Sequence, residues 1–156
     1  MHELIISEES IESNGALSVA HAATDELIRR YGGSGDSQLT FDDLRAPSGF
    51  FLVARIEGHL AGGVGVRSIG DPHHRWGEVK RLWVRPDLRR NGNATSLMEE
   101  VLAVARTKGY SRLYLETGAA QPEAIAFYQK TGWQSIDELP LNVFSYPGAY
   151  RFMSDL

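Results

Sequence analysis

Residues 85–98 read RPDLRRNGNATSLM, which leads from the end of a predicted strand through a short basic turn into a predicted helix. Pro86 cannot donate a ladder hydrogen bond and therefore ends the strand. The spacing Arg/Gln-x-x-Gly-x-Gly/Ala is met by Arg89, Gly92 and Ala94. Small residues at these places let an anion reach the backbone N–H groups of the first helical turn, and the helix dipole and the arginine add positive potential. The segment predicts a phosphate-binding turn, with a pyrophosphate as its natural ligand.

The sequence on both sides of this turn supports the prediction. Upstream, residues 78–85 read EVKRLWVR, which is rich in β-branched and apolar residues and is typical of a strand. Downstream, apolar residues recur at helical spacing as far as Ala105, and Gly109 stands where a helix would end. Without this context, an arginine-rich turn with one glycine would only close a strand-to-helix connection.

The rest of the chain alternates between strand and helix patterns. We predict strands at 3–7, 50–56, 59–69, 111–117, 133–136 and 150–156, helices at 14–31 and 121–131, a short helix at 40–44, and loops at 33–38 and 140–148. Gly62, Gly63 and Gly65 do not form a dinucleotide fingerprint because no helix follows them. We interpret them as strand glycines that another backbone or a ligand approaches closely.

Composition limits the classes of protein to consider. The chain has 156 residues, 42% of them hydrophobic, which predicts one globular domain over residues 1–156. It has no cysteine, which excludes disulfides, thiolate metal ligands and thiol catalysis by the protein. A net charge of −4 argues against general nucleic-acid binding. The apolar runs are too short for a signal peptide or a membrane span, so we expect no membrane partner and a cytoplasmic location.

Two later segments, together with the phosphate turn, carry a resemblance to a known family. Residues 110–117 (YSRLYLET) are similar to the strand that follows the cofactor helix in the GCN5-related N-acetyltransferase (GNAT) family. Residues 121–133 (QPEAIAFYQKTGW) resemble the family pattern Asn-x-x-Ala-x-x-x-Tyr-x-x-x-Gly-Phe, although Gln121 replaces the usual asparagine. The matching positions of this second segment are Ala124, Tyr128, Gly132 and Trp133.

The resemblance implies a fold and a cosubstrate. The fold is α/β (α+β): a mixed, mostly antiparallel, twisted sheet of six to seven strands with a splayed central pair, flanked by about four helices. The cosubstrate is acetyl-CoA, without a metal, and its pantetheine arm lies beside a bulge in the central strand, where an N–H near Leu82 can stabilise an oxyanion. The implied cofactor-binding residues are Leu82, Trp83, Val84, Arg89, Arg90, Asn91, Gly92, Asn93, Ala94, Thr95 and Gln121.

Two residues are candidates for proton transfer. An alkylammonium with a pKa near ~10 needs a base at neutral pH, and the resemblance assigns this role to Glu78. Strand alternation would place Glu78 on one face with Lys80 and Leu82. The alternative to a role as base is that Glu78 is an exposed charge at a strand end. The resemblance assigns Tyr128 as the acid that protonates the departing thiolate. The alternative is a core tyrosine whose hydroxyl is bonded elsewhere.

The resemblance implies an N-acetyltransferase that moves acetyl from acetyl-CoA to a primary amine of a small molecule, by direct attack in a ternary complex. The alternatives are a protein or peptide amine as acceptor, or a non-catalytic acyl-CoA-binding regulatory module. We expect the acceptor site at 10–45 and 138–148, and the terminal strand offers an edge for a homodimer. We interpret the neighbouring His73 and His74 as a solvated loop. Four residues could line the acceptor site: Asp42, Asp43, Tyr146 and Tyr150.

Overall fold

A computed structural model describes residues 2–32, 40–140, 143, 145 and 148–156. The predicted loop at 33–38 and Tyr146 lie outside the described residues. The described strands are β1 Leu4–Glu8, β2 Gly49–Ile56, β3 His59–Ile69, β4 Trp76–Val84, β5 Arg112–Thr117, β6 Gln134–Ile136 and β7 Tyr150–Asp155. The described helices are α1 Asn14–Tyr31, α2 Asn93–Thr107 and α3 Pro122–Lys130, with 3₁₀ helices at Phe41–Leu44 and Pro86–Leu88. None of these helices is long and apolar enough to cross a membrane.

The strands form one sheet in the order β1-β2-β3-β4-β5-β7-β6. Neighbouring strands are antiparallel except for β4 and β5, which run parallel. This confirms the predicted mixed, mostly antiparallel sheet. Instead of about four helices, the described part of the chain has three α-helices and two short 3₁₀ helices.

Both faces of the sheet are covered, and β2 shows why. Its residues from Gly49 to Ala54 are all buried. Phe50 and Leu52 pack on the face under α2 and α3, whereas Phe51 and Val53 pack on the opposite face with α1 and the first 3₁₀ helix. A strand that is buried on both faces reads as a continuous apolar run because alternate side chains enter two different cores.

Local sequence sets the ends of α1. The Ser13 hydroxyl accepts a hydrogen bond from the Ala16 N–H at 3.0 Å, which satisfies one free donor of the first turn. At the other end, Gly32 adopts φ 77° and its N–H donates to the Ile28 carbonyl at 2.8 Å. The helix therefore begins and ends where the sequence predicts.

The two parallel strands separate after a short paired region. Residues Trp76–Glu78 of β4 face Arg112–Tyr114 of β5, and no pairing between them continues beyond Glu78 and Tyr114. The C-terminal halves of β4 and β5 therefore border an opening in the sheet. This confirms the splayed central pair that the family resemblance implies.

A bulge in β4 reverses its side-chain alternation. Gly63 of β3 faces Trp83, whereas Gly65 faces Lys80, so β4 contains one extra residue between these pairs. Arg81 lies in this stretch with φ 60°. Val79, Leu82 and Val84 consequently all contact the core under α2 and α3. The expectation that Leu82 shares a face with Glu78 and Lys80 was wrong, because simple alternation does not hold across a bulge.

Two of the three strand glycines of β3, Gly62 and Gly63, meet neighbouring backbone, as predicted. A Cβ atom on Gly62 would collide with the Trp83 carbonyl oxygen, and one on Gly63 would lie 2.6 Å from the Leu52 carbonyl oxygen. A Cβ on Gly65 would instead press on the Leu44 side chain at 2.8 Å. Gly62 therefore lets β3 approach the bulged part of β4 closely, whereas Gly63 makes room for β2 and Gly65 for Leu44.

Candidate active site

The turn between β4 and α2 exposes the beginning of α2. Gly92 directly precedes the helix with φ 82° and ψ 2°, a left-handed conformation that glycine adopts without strain. No side chain caps the first turn of α2, and no atom lies within 4 Å of the place where a Gly92 Cβ would stand. The Asn93 side-chain amide donates to the Leu88 carbonyl at 2.9 Å and fixes the turn. The N–H groups from Gly92 to Thr95 can therefore be approached by an anion.

Three arginines surround this turn, and they differ in their partners. Arg85 contacts Asp87 at 2.6 Å, and this hydrogen bond lowers the pKa of the Asp87 carboxyl. Arg89 donates from Nε to the Val84 carbonyl at 2.7 Å and from Nη2 to Glu26 Oε1 at 2.6 Å. Arg90 is exposed and makes no hydrogen bond or ion pair with the residues that the structure describes. Arg90 therefore carries the uncompensated positive charge beside the turn.

The opening between β4 and β5 continues from this turn. Leu82, Trp83 and Val84 form its β4 rim, and the loop from β5 to α3 forms the other rim. Gln121 precedes α3, and its Oε1 accepts hydrogen bonds from the Tyr31 hydroxyl at 3.0 Å and the Thr117 hydroxyl at 3.2 Å. The side-chain amide oxygen of Gln121 therefore connects the β5–α3 loop to α1 through the Tyr31 hydroxyl.

Glu78 lies at the closed end of the opening and is fully buried, at 0% exposure. Its Oε1 accepts a hydrogen bond from Arg67 Nε at 2.9 Å, and Arg67 Nη2 forms an ion pair with the same oxygen at 2.8 Å. Lys80 Nζ is 3.2 Å from Oε2, yet within the described residues Oε2 accepts no hydrogen bond of acceptable geometry. The interpretation of Glu78 as an exposed charge is wrong, because two cations compensate a charge that the fold removes from water.

Tyr128 is a core residue of α3 with an unbonded hydroxyl. Its ring lies 5.9 Å from that of Trp133 and 5.6 Å from that of Phe152, and 6% of the residue is exposed. The hydroxyl makes no hydrogen bond to any residue in the described ranges, so the alternative in which it is bonded elsewhere in the core is not observed. Burial raises the pKa of the Tyr128 phenol well above its ordinary value, which keeps it protonated.

The acids expected at the acceptor site have counterions. Asp42 lies 2.9 Å from Arg45, and Asp43 lies 3.7 Å from Arg67. Each of these carboxylates is therefore partly neutralised by a neighbouring arginine. At the other end of β4, the His74 ring stacks on Trp76 at 4.2 Å. The described residues contain no group of three or more His, Cys, Asp or Glu side chains suited to a metal ion.

Two residues of the site were missed in the sequence. Arg67 is the register partner of Glu78 across the β3–β4 pair. An explicit alignment of that hairpin could have placed Arg67 beside Glu78. Glu26, which binds Arg89, lies 63 positions away in the chain, and no local pattern links the two.

Comparison with known proteins gives consistent matches. Residues 18–133 match the model of the acetyltransferase (GNAT) family. The chain is 33% identical over 133 residues to "IAA acetyltransferase" of Azospirillum brasilense, covering 85% of this chain and 86% of that protein. Its fold is similar to a GNAT-family acetyltransferase from Staphylococcus aureus, with a TM-score of 0.78 at 15% identity over 98% of this chain and 99% of that one. A GNAT-family acetyltransferase from Elizabethkingia anophelis, solved with acetyl-CoA bound, has a TM-score of 0.68 at 18% identity and covers 98% of both chains.

Proposed function

The chain belongs to the GNAT family of acetyltransferases, and from this premise we propose that it transfers acetyl from acetyl-CoA to a primary amine of a small molecule. The amine attacks the thioester directly in a ternary complex. The observation that carries the proposal is the opening between β4 and β5, which runs from the phosphate-binding turn to a buried carboxylate. A protein that only binds acyl-CoA needs the turn but has no use for Glu78 and Tyr128 at the reacting end.

The residues fit acetyl-CoA on structural grounds. The N–H groups from Gly92 to Thr95 and the charges of Arg89 and Arg90 would hold the pyrophosphate, with Asn91 and Asn93 shaping the turn. The rim of Leu82, Trp83 and Val84 would border the pantetheine arm, and an N–H near Leu82 would stabilise the oxyanion. Gln121 would bound the arm on the opposite rim. When bound, acetyl-CoA supplies an activated acetyl thioester.

Glu78 and Tyr128 would handle the two protons of the reaction. The acceptor ammonium gives its proton to Glu78 Oε2, through a water molecule because the carboxylate is buried. The free amine then forms the new C–N bond while the C–S bond breaks. The Tyr128 hydroxyl, kept protonated by its raised pKa, would donate to the departing sulfur. The acylated nitrogen would then lose its second proton to the tyrosinate, so that the products are the amide and CoA thiol, with one proton left on Glu78.

The experiment combines cofactor binding with turnover. CoA and acetyl-CoA are titrated calorimetrically, and thiol release is then measured with a panel of small amines, amino acids and peptides, with mass spectrometry of the products and an amine-free reaction as control. We expect binding, and amine-dependent thiol release that yields an acetylated small amine. Turnover only with peptides would favour a protein acceptor, and binding without turnover on any acceptor would favour a regulatory module. A cytoplasmic location and a homodimer remain predictions.

A further inference from the structure

The last two turns of α1 lie across the mouth of the opening and contact both of its rims. On the β4 side, Glu26 accepts from Arg89 at 2.6 Å. On the β5 side, Arg30 donates to the Ala120 carbonyl at 3.0 Å and the Tyr31 hydroxyl donates to Gln121 at 3.0 Å. Glu26 and Arg30 are themselves joined, with 3.6 Å between Glu26 Oε2 and Arg30 Nε. One helix end therefore connects the phosphate-binding turn to the loop before α3.

Arg89 is the residue in this network that we expect to contact the pyrophosphate. Its guanidinium is held at two points, by the Val84 carbonyl at 2.7 Å and by Glu26. Its side chain is still 32% exposed, whereas that of Glu26 is 18% exposed. A guanidinium has five N–H donors, and these two contacts use two of them. The remaining donors belong to a fork whose orientation is already fixed.

We propose that Glu26 is a positioning residue for cofactor binding: from its place on α1, it orients Arg89 toward the pyrophosphate. The inference rests on the proposed use of acetyl-CoA. Orientation before binding matters because an arginine that is already ordered loses less side-chain entropy when the phosphate arrives. The position of Glu26 across the turn from Arg89 also explains why an acid is tolerated beside an anion-binding site. Its negative charge pairs with the arginine instead of remaining free.

Glu26 can be tested with three substitutions on α1. Glu26→Ala removes both the charge and the acceptor oxygen, whereas Glu26→Gln keeps an oxygen that can still accept from Arg89. Asp25→Asn is the matched control, because Asp25 is an exposed acid on the same helix that makes no hydrogen bond or ion pair within the described part of the chain. The ligands are CoA, measured by calorimetry, and pantetheine, which lacks the phosphates and is measured by NMR titration. Thermal unfolding of each variant shows that it is folded.

We expect Glu26→Ala to weaken CoA binding about tenfold, the loss of one charge-assisted contact, while pantetheine binding stays within about twofold of wild type. The CoA affinity of Glu26→Gln should stay within about threefold of wild type. That of Asp25→Asn should stay within about twofold. In an Arg89→Gln background, Glu26→Ala should have little further effect, since both act through the same contact.

Three results would overturn the inference. CoA affinity that is unchanged in Glu26→Ala would show that Arg89 needs no partner for its orientation. Tighter CoA binding in both Glu26 variants would show that Glu26 competes with the phosphates for Arg89. A parallel loss of CoA and pantetheine binding would show general loosening of the opening. Failure of the wild-type protein to bind CoA would instead remove the proposed function on which the inference rests.

Discussion

At the residue scale, the site depends on how a buried carboxylate is compensated. Glu78 has no exposed surface, and its two oxygens are used differently. Oε1 accepts a hydrogen bond from Arg67 and is ion-paired to it, while Oε2 accepts no hydrogen bond from the described residues. A buried charge persists only when it is paired, and Arg67 and Lys80 supply the pairing. Oε2 therefore keeps acceptor capacity, which the proposed base would use toward a bridging water molecule.

Replacing Glu78 tests this role. Glu78→Gln should lower kcat/KM by roughly 10²-fold or more at neutral pH, with partial recovery as rising pH deprotonates the amine without help. The pH dependence of kcat/KM is measured by steady-state kinetics from pH 6 to 9, with an amine that the wild-type protein acetylates. Because the substitution also leaves Arg67 and Lys80 without their buried counterion, unfolding must be measured in parallel.

Glu9→Gln is the matched control, since Glu9 is also ion-paired, to Arg55, but lies near the β1 edge of the sheet. It should reduce stability without changing the pH profile. If Glu78→Gln is folded and turns over at the wild-type rate at every pH, the base lies elsewhere.

The acid role of Tyr128 gives a different pH signature. Tyr128→Phe should reduce kcat by roughly 10²-fold and leave acetyl-CoA binding nearly unchanged, because one hydroxyl is lost. Burial raises the pKa of the phenol, so it stays protonated far beyond pH 9 and the deficit should be constant from pH 6 until the coenzyme thiol ionises on its own. Tyr110→Phe, which removes a hydroxyl bonded to Ser68, is the control. A kcat for Tyr128→Phe equal to that of Tyr110→Phe would contradict the assignment.

At the element scale, the turn from β4 to α2 and the bulge in β4 together create the site. The turn was predictable because Pro86, Gly92 and the following helical pattern are all local signals. For the bulge, the family resemblance predicted its presence in the central strand but not its effect on side-chain direction. Its effect on Leu82 depends on the register with β3, which shifts between Gly63 and Gly65, and that register is a long-range property.

The conformation of Gly92 provides a test of the phosphate-binding turn. Gly92→Val places a branched side chain where nothing lies within 4 Å, at the mouth of the turn, and should abolish measurable CoA binding. Gly132→Val is the matched control, because Gly132 also has a positive φ, 87°, and open space but ends α3 instead of beginning α2. Both variants should lose similar stability, and calorimetry should show CoA binding only for Gly132→Val. Wild-type CoA affinity in Gly92→Val would refute the site.

The close contact of β3 with the bulged strand should be sensitive to a single methyl group. Gly62→Ala adds a Cβ that collides with the Trp83 carbonyl oxygen and must push β3 and β4 apart. We expect a loss of about 1–3 kcal/mol in the free energy of unfolding, the usual range for overpacking. Urea denaturation followed by tryptophan fluorescence measures this loss. An unchanged midpoint would show that the strands can separate there without cost.

At the scale of the whole molecule, the sheet is interrupted where β4 and β5 separate, and helices cover both of its faces. Periodicity predicted the strands and helices because each pattern is local. The sequence did not reveal the pairing of Glu78 with Arg67 or of Arg89 with Glu26, because these contacts depend on which elements become neighbours after folding. Local sequence patterns also do not predict the identity of the acceptor amine, since its expected site combines the region around 10–45 with the loop at 138–148.

The central claim is that CoA binds in the β4–β5 opening with its pyrophosphate at the start of α2. An amide NMR titration of the wild-type protein with CoA tests this claim without knowledge of the acceptor. We expect the largest changes in amide chemical shift at Gly92–Thr95, with further changes at Leu82–Val84 and Leu115–Thr117. Changes confined to another surface, such as the groove around Trp76 and His74, or no changes at saturating CoA, would contradict it.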